Sequence, residues 1–268
     1  MVQFSSMIKS ILKAIPLLST FSSSEIQLQK LAGLTNENYL VVIKESPKQK
    51  YILRIPREST NKFINRESES HNTGIAEQLN IAPKNVWRNT SGISLTEYIV
   101  DASIPNLNDS KTFENIAKTL TTLHNSKTVF KGTLDNQKIA KRLTQYFTLC
   151  STKQQQTLKL EYQKALSLLE LQPSLCKRSA VPSHVDLVLE NILLQDEKVW
   201  FIDWEYSAMA SPFWDIATLC NSANLNEAQS EVLLKTVLKN YQPDNLECLK
   251  HYLFITKIVS DCWQAAFI

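Results

Sequence analysis

Three oxygen-bearing side chains stand at short, fixed spacing in the second half of the chain. Asp186 and Asn191 are separated by four residues, and Asp203 directly follows an apolar run that ends at Ile202. Carboxylate and carboxamide oxygens suit Mg²⁺, which proteins usually hold with one or two side chains plus phosphates and water. Asn191 and Asp203 are therefore candidate magnesium ligands, and Asp186 is left free to act as a base.

The chemistry that these groups fit is phosphoryl transfer. That reaction requires a hydroxyl held in line with the γ-phosphate and cations that neutralise the phosphate oxygens. The D-x-x-x-x-N spacing from Asp186 to Asn191 is that of a kinase catalytic loop. The alternative is that these are ordinary turn residues, since Asp and Asn favour turns. Their apolar surroundings favour the functional interpretation, because a buried, unpartnered carboxylate is costly and a bound metal would offset that cost.

Composition limits the classes of partner. The chain has 268 residues, of which 43% are hydrophobic and 21% charged, which is typical of a globular protein with one large domain or two lobes. A net charge of +3 is too small to indicate nucleic acid as a partner. Residues 7–18 predict an amphipathic helix that lies on the N-terminal lobe and ends at Pro16, and no run is long enough for a membrane span. The oligomeric state stays open.

Cysteine and glycine usage narrows the choice further. The five cysteines are scattered and contain no C-x-x-C pair, which argues against a disulfide framework or zinc site and for a reducing, cytoplasmic compartment. Only four glycines occur, and neither G-x-x-x-x-G-K-[ST] nor G-x-G-x-x-G is present. P-loop and Rossmann nucleotide sites are therefore not expected.

The first part of the chain predicts a small sheet lobe that carries one helix. Two β-rich runs, 38–43 and 50–55, predict an antiparallel hairpin. A polar helix is expected from about residue 62 to 79, and two further strands at 85–87 and 93–99.

The remainder predicts a helical lobe. From about residue 108, apolar residues recur at helical spacing through Leu123. The other helices are expected in these places: two between 139 and 171 with Pro173 after the second, then 215–219, 227–240 and 246–263. The boundary is expected near residues 106–109, which divides the chain into a nucleotide-binding lobe, 1–105, and a lobe with catalytic loop and substrate pocket, 106–268.

Several blocks match a known family in order and together span most of the chain. The blocks are Leu31-Ala32-Gly33-Leu34-Thr35-Asn36-Glu37-Asn38-Tyr39, Leu53-Arg54-Ile55-Pro56, Asn65-Arg66 with Glu69, Leu123-His124-Asn125-Ser126, Ile202-Asp203-Trp204-Glu205-Tyr206 and Asp215-Ile216-Ala217. With them the chain resembles the choline/ethanolamine kinase branch of the aminoglycoside phosphotransferase-like kinases. Each block alone is weak, but their order and spacing are specific.

The resemblance implies an α+β, bilobal protein-kinase-like fold with a small antiparallel-sheet N-lobe and a mainly helical C-lobe. ATP as co-substrate, with Mg²⁺, would lie in the cleft. The resemblance implies these nucleotide-binding residues: Gly33, Thr35, Asn36, Arg54, Glu69, and the backbone from Glu97 to Ile99 at the adenine. Arg54 would bind the phosphates and pair with Glu69, for which Glu67 competes. The alternative for Arg54 is a solvated charge at a strand edge.

Two further residues are expected to support the catalytic loop, and three positions depart from the family pattern. His184 is expected to brace the catalytic loop rather than to bind metal or act as a base, and Asp215 to fix that loop by accepting hydrogen bonds. Val185 stands where the family usually has Asn or Gly, and β-branched residues tolerate unusual backbone angles poorly. Ala32 replaces a glycine of the nucleotide loop. An acidic substrate contact of some relatives falls at Ser222 or a neighbour.

The substrate is expected to be a small amino alcohol, choline first. A quaternary ammonium is best held by aromatic rings with a carboxylate. Tyr206 and Trp263 are candidate cage residues and Glu205 a candidate counter-charge, although Glu205 could instead order metal-bound water; Trp214 and Tyr252 are expected in the core. Ethanolamine and thiamine fit the same lobe, whereas aminoglycosides need a more acidic pocket. A catalytically silent kinase-like binding protein is the remaining alternative.

Overall fold

A computed structural model of the chain describes residues 6–33, 36–61 and 63–268. The first part of the chain forms a lobe around one antiparallel sheet, and the second forms a mainly helical lobe. The elements of the sheet-bearing lobe are α1 (Ser6–Ala14), α2 (Pro16–Ser19), β1 (Ile26–Leu31), β2 (Asn36–Ile43), β3 (Ser46–Pro56), α3 (Glu58–Asn61), α4 (Arg66–Gln78), β4 (Asn85–Arg88) and β5 (Ser94–Glu97).

The sheet has the strand order β1-β2-β3-β5-β4. The predicted hairpin is confirmed as β2 and β3, and the predicted later strands as β4 and β5. β1 was not predicted, because this short strand places only Ile26 and Leu28 in the core. The register sets Arg54 of β3 opposite Asn38 and Ser94 of the neighbouring strands. Arg54 therefore rises from the middle of the sheet, not from its edge.

The N-terminal segment folds into the predicted amphipathic helix. Ile8 and Leu12 of α1 are buried, and they join the core that includes Val41 and Leu53 of the sheet. Pro16 begins α2 at its first turn, where its missing N–H costs nothing. The helix thus lies on the sheet-bearing lobe, as expected.

The helical lobe contains two long helices and several short strands. Its elements are α5 (Ser110–His124), β6 (Thr133–Leu134), α6 (Asn136–Leu149), α7 (Thr152–Leu175), β7 (Val181–Ser183), a 3₁₀ turn (Leu189–Asn191), β8 (Ile192–Gln195), β9 (Lys198–Phe201), β10 (Ala208–Ala210), α8 (Pro212–Ser222), α9 (Glu227–Val237) and α10 (Asp244–Phe267). Within the part of the chain that the structure describes, no helix is both long and apolar enough to cross a membrane.

The hairpin of β8 and β9 sets the position of the predicted metal ligands. Its strands pair antiparallel from Ile192 opposite Phe201. The Phe201 N–H donates to the Ile81 carbonyl at 2.7 Å, which ties β9 to the segment after α4. Asn191 directly precedes β8 and Asp203 follows β9, so the hairpin brings the two ligands to the same end of one small ribbon.

Helix α7 continues past Pro173, which corrects the prediction that this proline follows the helix. A proline has no N–H, so the carbonyl four residues earlier loses its usual helical donor. That carbonyl belongs to Leu169, and Asn136 Nδ2 of α6 donates to it at 3.0 Å. A neighbouring helix therefore supplies the hydrogen bond that proline cannot.

A disulfide joins Cys176, just after α7, to Cys248 of α10, so the expectation of no disulfide pairing was wrong. The other three cysteines, Cys150, Cys220 and Cys262, are buried and free. The paired residues lie 72 positions apart, a distance over which spacing carries no information. The pair forms because α7 and α10 pack side by side.

Candidate active site

The catalytic loop between β7 and the 3₁₀ turn presents Asp186 beside Asn191. Asn191 Nδ2 donates to the Asp186 backbone carbonyl at 2.9 Å and to Asp186 Oδ2 at 3.1 Å. The carboxamide nitrogen thereby orients the carboxylate, and neither bond uses the Asn191 carbonyl oxygen. Burial, and then the charge of Asp203, raise the pKa of Asp186 to about 6. The loop thus holds a half-buried carboxylate of raised pKa next to the side-chain oxygen of Asn191, which takes no part in these two bonds.

Val185, which stands where the family usually has Asn or Gly, adopts an unusual backbone conformation. Its φ is +73°, a left-handed conformation that costs a β-branched residue about 1–3 kcal/mol. Two hydrogen bonds hold it there: its N–H donates to Asp215 Oδ1 at 2.7 Å, and its carbonyl accepts from Trp214 Nε1 at 2.7 Å. The turn before Asp186 is therefore tight, and α8 enforces it.

Asp215 fixes the loop as expected. Besides the Val185 N–H, it accepts the His184 N–H at 2.9 Å and a bond from His124 Nε2 at 3.0 Å. His124 lies at the end of α5, so the L-H-x-S block is explained by this contact. Asp215 is completely buried. It joins α5, α8 and the catalytic loop through one carboxylate.

His184 has the expected bracing role. Its Nε2 makes a 2.9 Å hydrogen bond with the Ile202 carbonyl, immediately before Asp203. Burial lowers the pKa of His184, so the ring is neutral at physiological pH and acts as a donor to this carbonyl. The contact couples the loop that carries Asp186 to the turn that carries Asp203.

Asp203 lies at the cleft between the lobes, in contact with the small lobe. Its Oδ1 accepts from Arg54 Nη1 at 2.9 Å, and its Oδ2 lies 3.5 Å from Asn36 Nδ2. Its side chain is 26% exposed, against 11% for Arg54. Its φ of +62° is left-handed, a conformation that aspartate adopts at low cost. The carboxylate is thus accessible from the cleft.

The expected pair between Arg54 and Glu69 is present. Arg54 Nη2 donates to Glu69 Oε1 inside the small lobe, and Glu69 is 1% exposed. Glu67, the competitor for this role, is instead paired with Lys131 at the surface. Arg54 is therefore not a solvated strand-edge charge.

Two further arginines surround Glu69, and the sequence analysis gave neither a role. Arg66 Nη1 lies 2.7 Å from Glu69 Oε2, and Arg88 Nη1 lies 3.4 Å from Glu69 Oε1. The Arg66-x-x-Glu69 spacing on α4 was a signal for the first, since residues at i and i+3 of a helix are neighbours. Nothing in the local sequence indicates Arg88, which reaches Glu69 from β4.

Glu205 lies on the nucleotide side of the cleft rather than deep among the aromatic residues. It accepts from Asn36 Nδ2 at 3.2 Å and lies 3.5 Å from Arg66 Nη1 and 3.9 Å from Arg54 Nη1. Burial and the charge of Asp203 raise the pKa of Glu205. These contacts favour the role in which Glu205 orders metal-bound water over the role of counter-charge to the substrate.

Aromatic residues line the other side of Asp186. Tyr206 lies close enough to Tyr146 of α6 that each tyrosine affects the pKa of the other, and the Arg142 guanidinium lies 5.2 Å from the Tyr206 ring centre. Tyr146 packs edge-on against Phe267 at 5.8 Å and Phe63 at 6.1 Å. Phe63, Tyr146 and Phe267 come from separate parts of the chain, and no local spacing predicted that these rings meet.

Trp263 belongs to the same group of rings, 5.8 Å from Phe267. Trp214 and Tyr252 lie in the core, as expected, with ring centres 6.5 Å apart. Ser222 is a candidate for the position at which some relatives carry an acidic substrate contact. In this chain its side chain binds the backbone instead: Ser222 Oγ accepts the Leu189 N–H of the 3₁₀ turn at 2.7 Å. It thereby supports the catalytic loop.

The nucleotide loop is partly described. A Cβ added to Gly33 would lie 2.6 Å from the Asn36 carbonyl oxygen and 2.8 Å from Asn38 Nδ2, so only glycine fits. Thr35 lies outside the described residues. Glu97 ends β5 with its N–H on the Lys84 carbonyl at 2.9 Å, and the contact of Glu97 and Ile99 with adenine stays a prediction.

The residues present fit a magnesium ion. Among the described residues, no three His, Cys, Asp or Glu side chains form a metal cluster. Mg²⁺ needs only one or two protein oxygens when phosphates and water complete its shell. The partly exposed Asp203 carboxylate and the unused Asn191 amide oxygen provide them.

Comparison with known proteins gives a consistent result. A family model described as Choline/ethanolamine kinase matches residues 28–261. Protein LicA of Haemophilus influenzae is 33% identical over 221 residues, which cover 79% of this chain and 62% of that protein. The match thus spans less than two thirds of that relative's length.

Solved structures agree with the fold. The crystal structure of choline kinase LicA from Streptococcus pneumoniae has a TM-score of 0.82 and 26% identity, over 98% of this chain and 91% of that chain. A crystal structure of LicA in complex with AMP has a TM-score of 0.79 and 26% identity, with the same coverage. The expected α+β, bilobal protein-kinase-like fold is confirmed.

Proposed function

Because the chain belongs to the choline/ethanolamine kinase family, we propose that it transfers the γ-phosphoryl group of ATP to the hydroxyl of a small cationic alcohol, choline first. The observation that carries this proposal is a chain of contacts: Asn191 binds Asp186, the Asn191 backbone carbonyl accepts the N–H of Ile202 next to Asp203, and Asp203 contacts the Arg54–Glu69 pair of the small lobe. The residue ranges 1–105 and 106–268 serve as its nucleotide-binding and substrate-binding lobes.

Asp186 is the proposed catalytic residue. Its carboxylate accepts the proton of the alcohol as the oxygen attacks phosphorus, and Asn191 Nδ2 holds that carboxylate in place. When bound at Asn191 and Asp203, Mg²⁺ would neutralise charge on the phosphate oxygens. His184 and Asp215 keep the two sides of the site at a fixed separation.

ATP is the proposed co-substrate, in keeping with the AMP complex of the related LicA. Arg54 is the proposed phosphate ligand, because its planar guanidinium can donate two hydrogen bonds at once and Glu69 fixes its orientation. Gly33 and Asn36 would bring backbone close to the phosphates, while Thr35 and the backbone from Glu97 to Ile99 would complete the nucleotide site. A cytoplasmic location is proposed because ATP is available there, although the Cys176–Cys248 disulfide is a bond that a reducing compartment disfavours.

The aromatic group beside Asp186 is the proposed binding site for the cationic end of the alcohol. Tyr206, Tyr146, Phe267 and Trp263 supply ring faces and edges, and the first two lie close enough to Asp186 to feel its charge. Each ring contributes about 0.5–2 kcal/mol of attraction to a desolvated cation. The Arg142 guanidinium adds a positive charge beside Tyr206, and it repels a polycationic aminoglycoside more strongly than a substrate with one positive charge.

A substrate panel tests this proposal. With ATP and Mg²⁺, coupled ADP release is expected with choline, and with ethanolamine or thiamine at higher KM. The matched control is 3,3-dimethyl-1-butanol, which has the shape of choline without its charge. Its KM is expected to be about 5- to 30-fold higher than that of choline, because the cation–π attraction is lost.

Two results of the substrate panel would contradict parts of this proposal. No turnover on any of these alcohols, together with no Mg·ATP thermal shift, supports the silent binding protein and ends the kinase proposal. Equal KM values for choline and its neutral analogue leave a kinase but contradict the aromatic cation site.

The rate is expected to fall at acid pH, because Asp186 must be ionised to accept a proton. Burial and the charge of Asp203 raise the pKa of Asp186 to about 6. At saturating Mg·ATP, kcat/KM for the alcohol is expected to fall about tenfold per pH unit below about pH 6 and to be level above it. Compensation of the Asp203 charge by a bound cation moves the midpoint lower, so a midpoint above pH 7 contradicts the assignment.

A further inference from the structure

Arg66 connects the two lobes by a contact that the proposed reaction does not use. From α4 of the small lobe, its Nη1 lies 2.7 Å from Glu69 Oε2 and 3.5 Å from Glu205 Oε2 of the helical lobe. Its side chain is 10% exposed and that of Glu205 is 2% exposed. Removal of one member of a charge contact this well shielded from water leaves the other buried without its partner, which costs more than the loss of a surface ion pair.

The position of Arg66 is fixed by its surroundings. Its Nε donates to Asn61 Oδ1 at 2.8 Å. The backbone of Gly92 lies against it so closely that an added Cβ would be 2.6 Å from the Arg66 Nε. Gly92 also has a φ of +86°. The turn between β4 and β5 therefore leaves room for this guanidinium only because residue 92 is glycine.

Arg54 and Arg66 both contact Glu205, but only Arg54 is also a proposed phosphate ligand. Arg54 contacts both Asp203 and Glu205, and under the proposed function it must also bind the phosphates. Arg66 contacts Glu205 through Nη1, and its buried Nη2 has no hydrogen-bond partner among the described residues. Arg66 can therefore hold Glu205 whether or not Arg54 turns to a nucleotide.

We propose that Arg66 is a positioning residue, which holds Glu205 and with it the turn that carries Asp203 against the small lobe. Glu205 follows Asp203 by two residues, so a displaced Glu205 displaces the metal ligand. This inference rests on the proposed function for its effect on rate. The contact itself does not depend on that function.

A double-mutant cycle tests the inference in the full-length protein. Arg66→Gln is expected to lower kcat about 10- to 100-fold, a typical size for one buried charge contact, with KM for ATP changed less than about 3-fold because Arg54 remains. Arg66→Lys is expected to restore most of the rate. In a Glu205→Gln background, Arg66→Gln is expected to cost less than about 3-fold, since its partner is already neutral.

The melting temperature supplies the same cycle without any need for turnover. Arg66→Gln is expected to lower Tm, and to lower it by less in a Glu205→Gln background, where its partner is already neutral. The control is Lys235→Gln, which breaks an exposed i,i+4 pair with Glu231 and is expected to change neither kcat nor Tm appreciably.

Each possible result of the Tm and kcat cycles tests a different part of the proposal. If the two variants are additive in Tm, Arg66 does not hold Glu205 and the inference fails. If they couple in Tm but not in kcat, the contact is structural only and the positioning role fails. If the wild type turns over no alcohol, the proposed function fails, and the Tm cycle still decides whether the contact exists.

Discussion

Replacement of Asp186 by asparagine is expected to lower kcat by about three orders of magnitude, in the middle of the range that a positioned base contributes. Asparagine has the same shape and keeps an oxygen that accepts from Asn191 Nδ2, now 3.1 Å from Asp186 Oδ2. It cannot take up the alcohol proton. KM for ATP and the Mg·ATP thermal shift are expected to stay near their wild-type values, because Asp186 is not a proposed metal ligand.

Steady-state kinetics of ADP release, together with Tm, measure this effect. The matched control is Glu190→Gln, which removes an exposed carboxylate from the same loop and is expected to retain activity within about 3-fold. Wild-type-like turnover in Asp186→Asn would remove the base from the mechanism. A loss of activity accompanied by a large fall in Tm would assign Asp186 to the fold rather than to the chemistry.

The catalytic side of the site was predictable because its parts are local in sequence. Asp186 and Asn191 lie on one loop, and a single hairpin, 192–201, separates Asn191 from Asp203. Spacing over such short distances reports directly on geometry. The bracing by His184 and Asp215 was likewise expected from the family resemblance, and the structure confirms both.

The charge arrangement around Glu69 was only partly predictable. Arg54 was expected from its block, but Arg88 reaches the same carboxylate from another strand, across a fold that spacing does not encode. For Glu205 the sequence left two roles open, a counter-charge to the substrate and the ordering of metal-bound water. Consecutive residues outside a helix point in different directions, and the structure turns Glu205 toward Asn36 and the arginines.

The failures of the sequence analysis have a common physical cause. Pro173 stays within α7 because Asn136 on a different helix bonds the Leu169 carbonyl. Cys176 pairs with Cys248 because α7 and α10 are neighbours. In each case a partner distant in sequence overrides a sound local rule.

Replacement of Asp203 by asparagine is the second variant with a large expected effect. Asparagine tolerates the φ of +62° as well as aspartate does, so the backbone should not change. The variant loses the negative charge that would hold Mg²⁺ on the phosphates. We expect kcat to fall by about three orders of magnitude or more, and the stabilisation by Mg·ATP to fall to that given by ATP with EDTA.

The thermal shift distinguishes this variant from Asp186→Asn, which is expected to keep its response to Mg·ATP. The matched control is Asp196→Asn, since Asp196 is also left-handed, with a φ of +52°, but lies exposed at the turn of the β8–β9 hairpin. It should behave as wild type. If Asp203→Asn retained both its rate and its magnesium-dependent shift, Asp203 would be a structural partner of Arg54 alone, and the metal would have to be held elsewhere in the cleft.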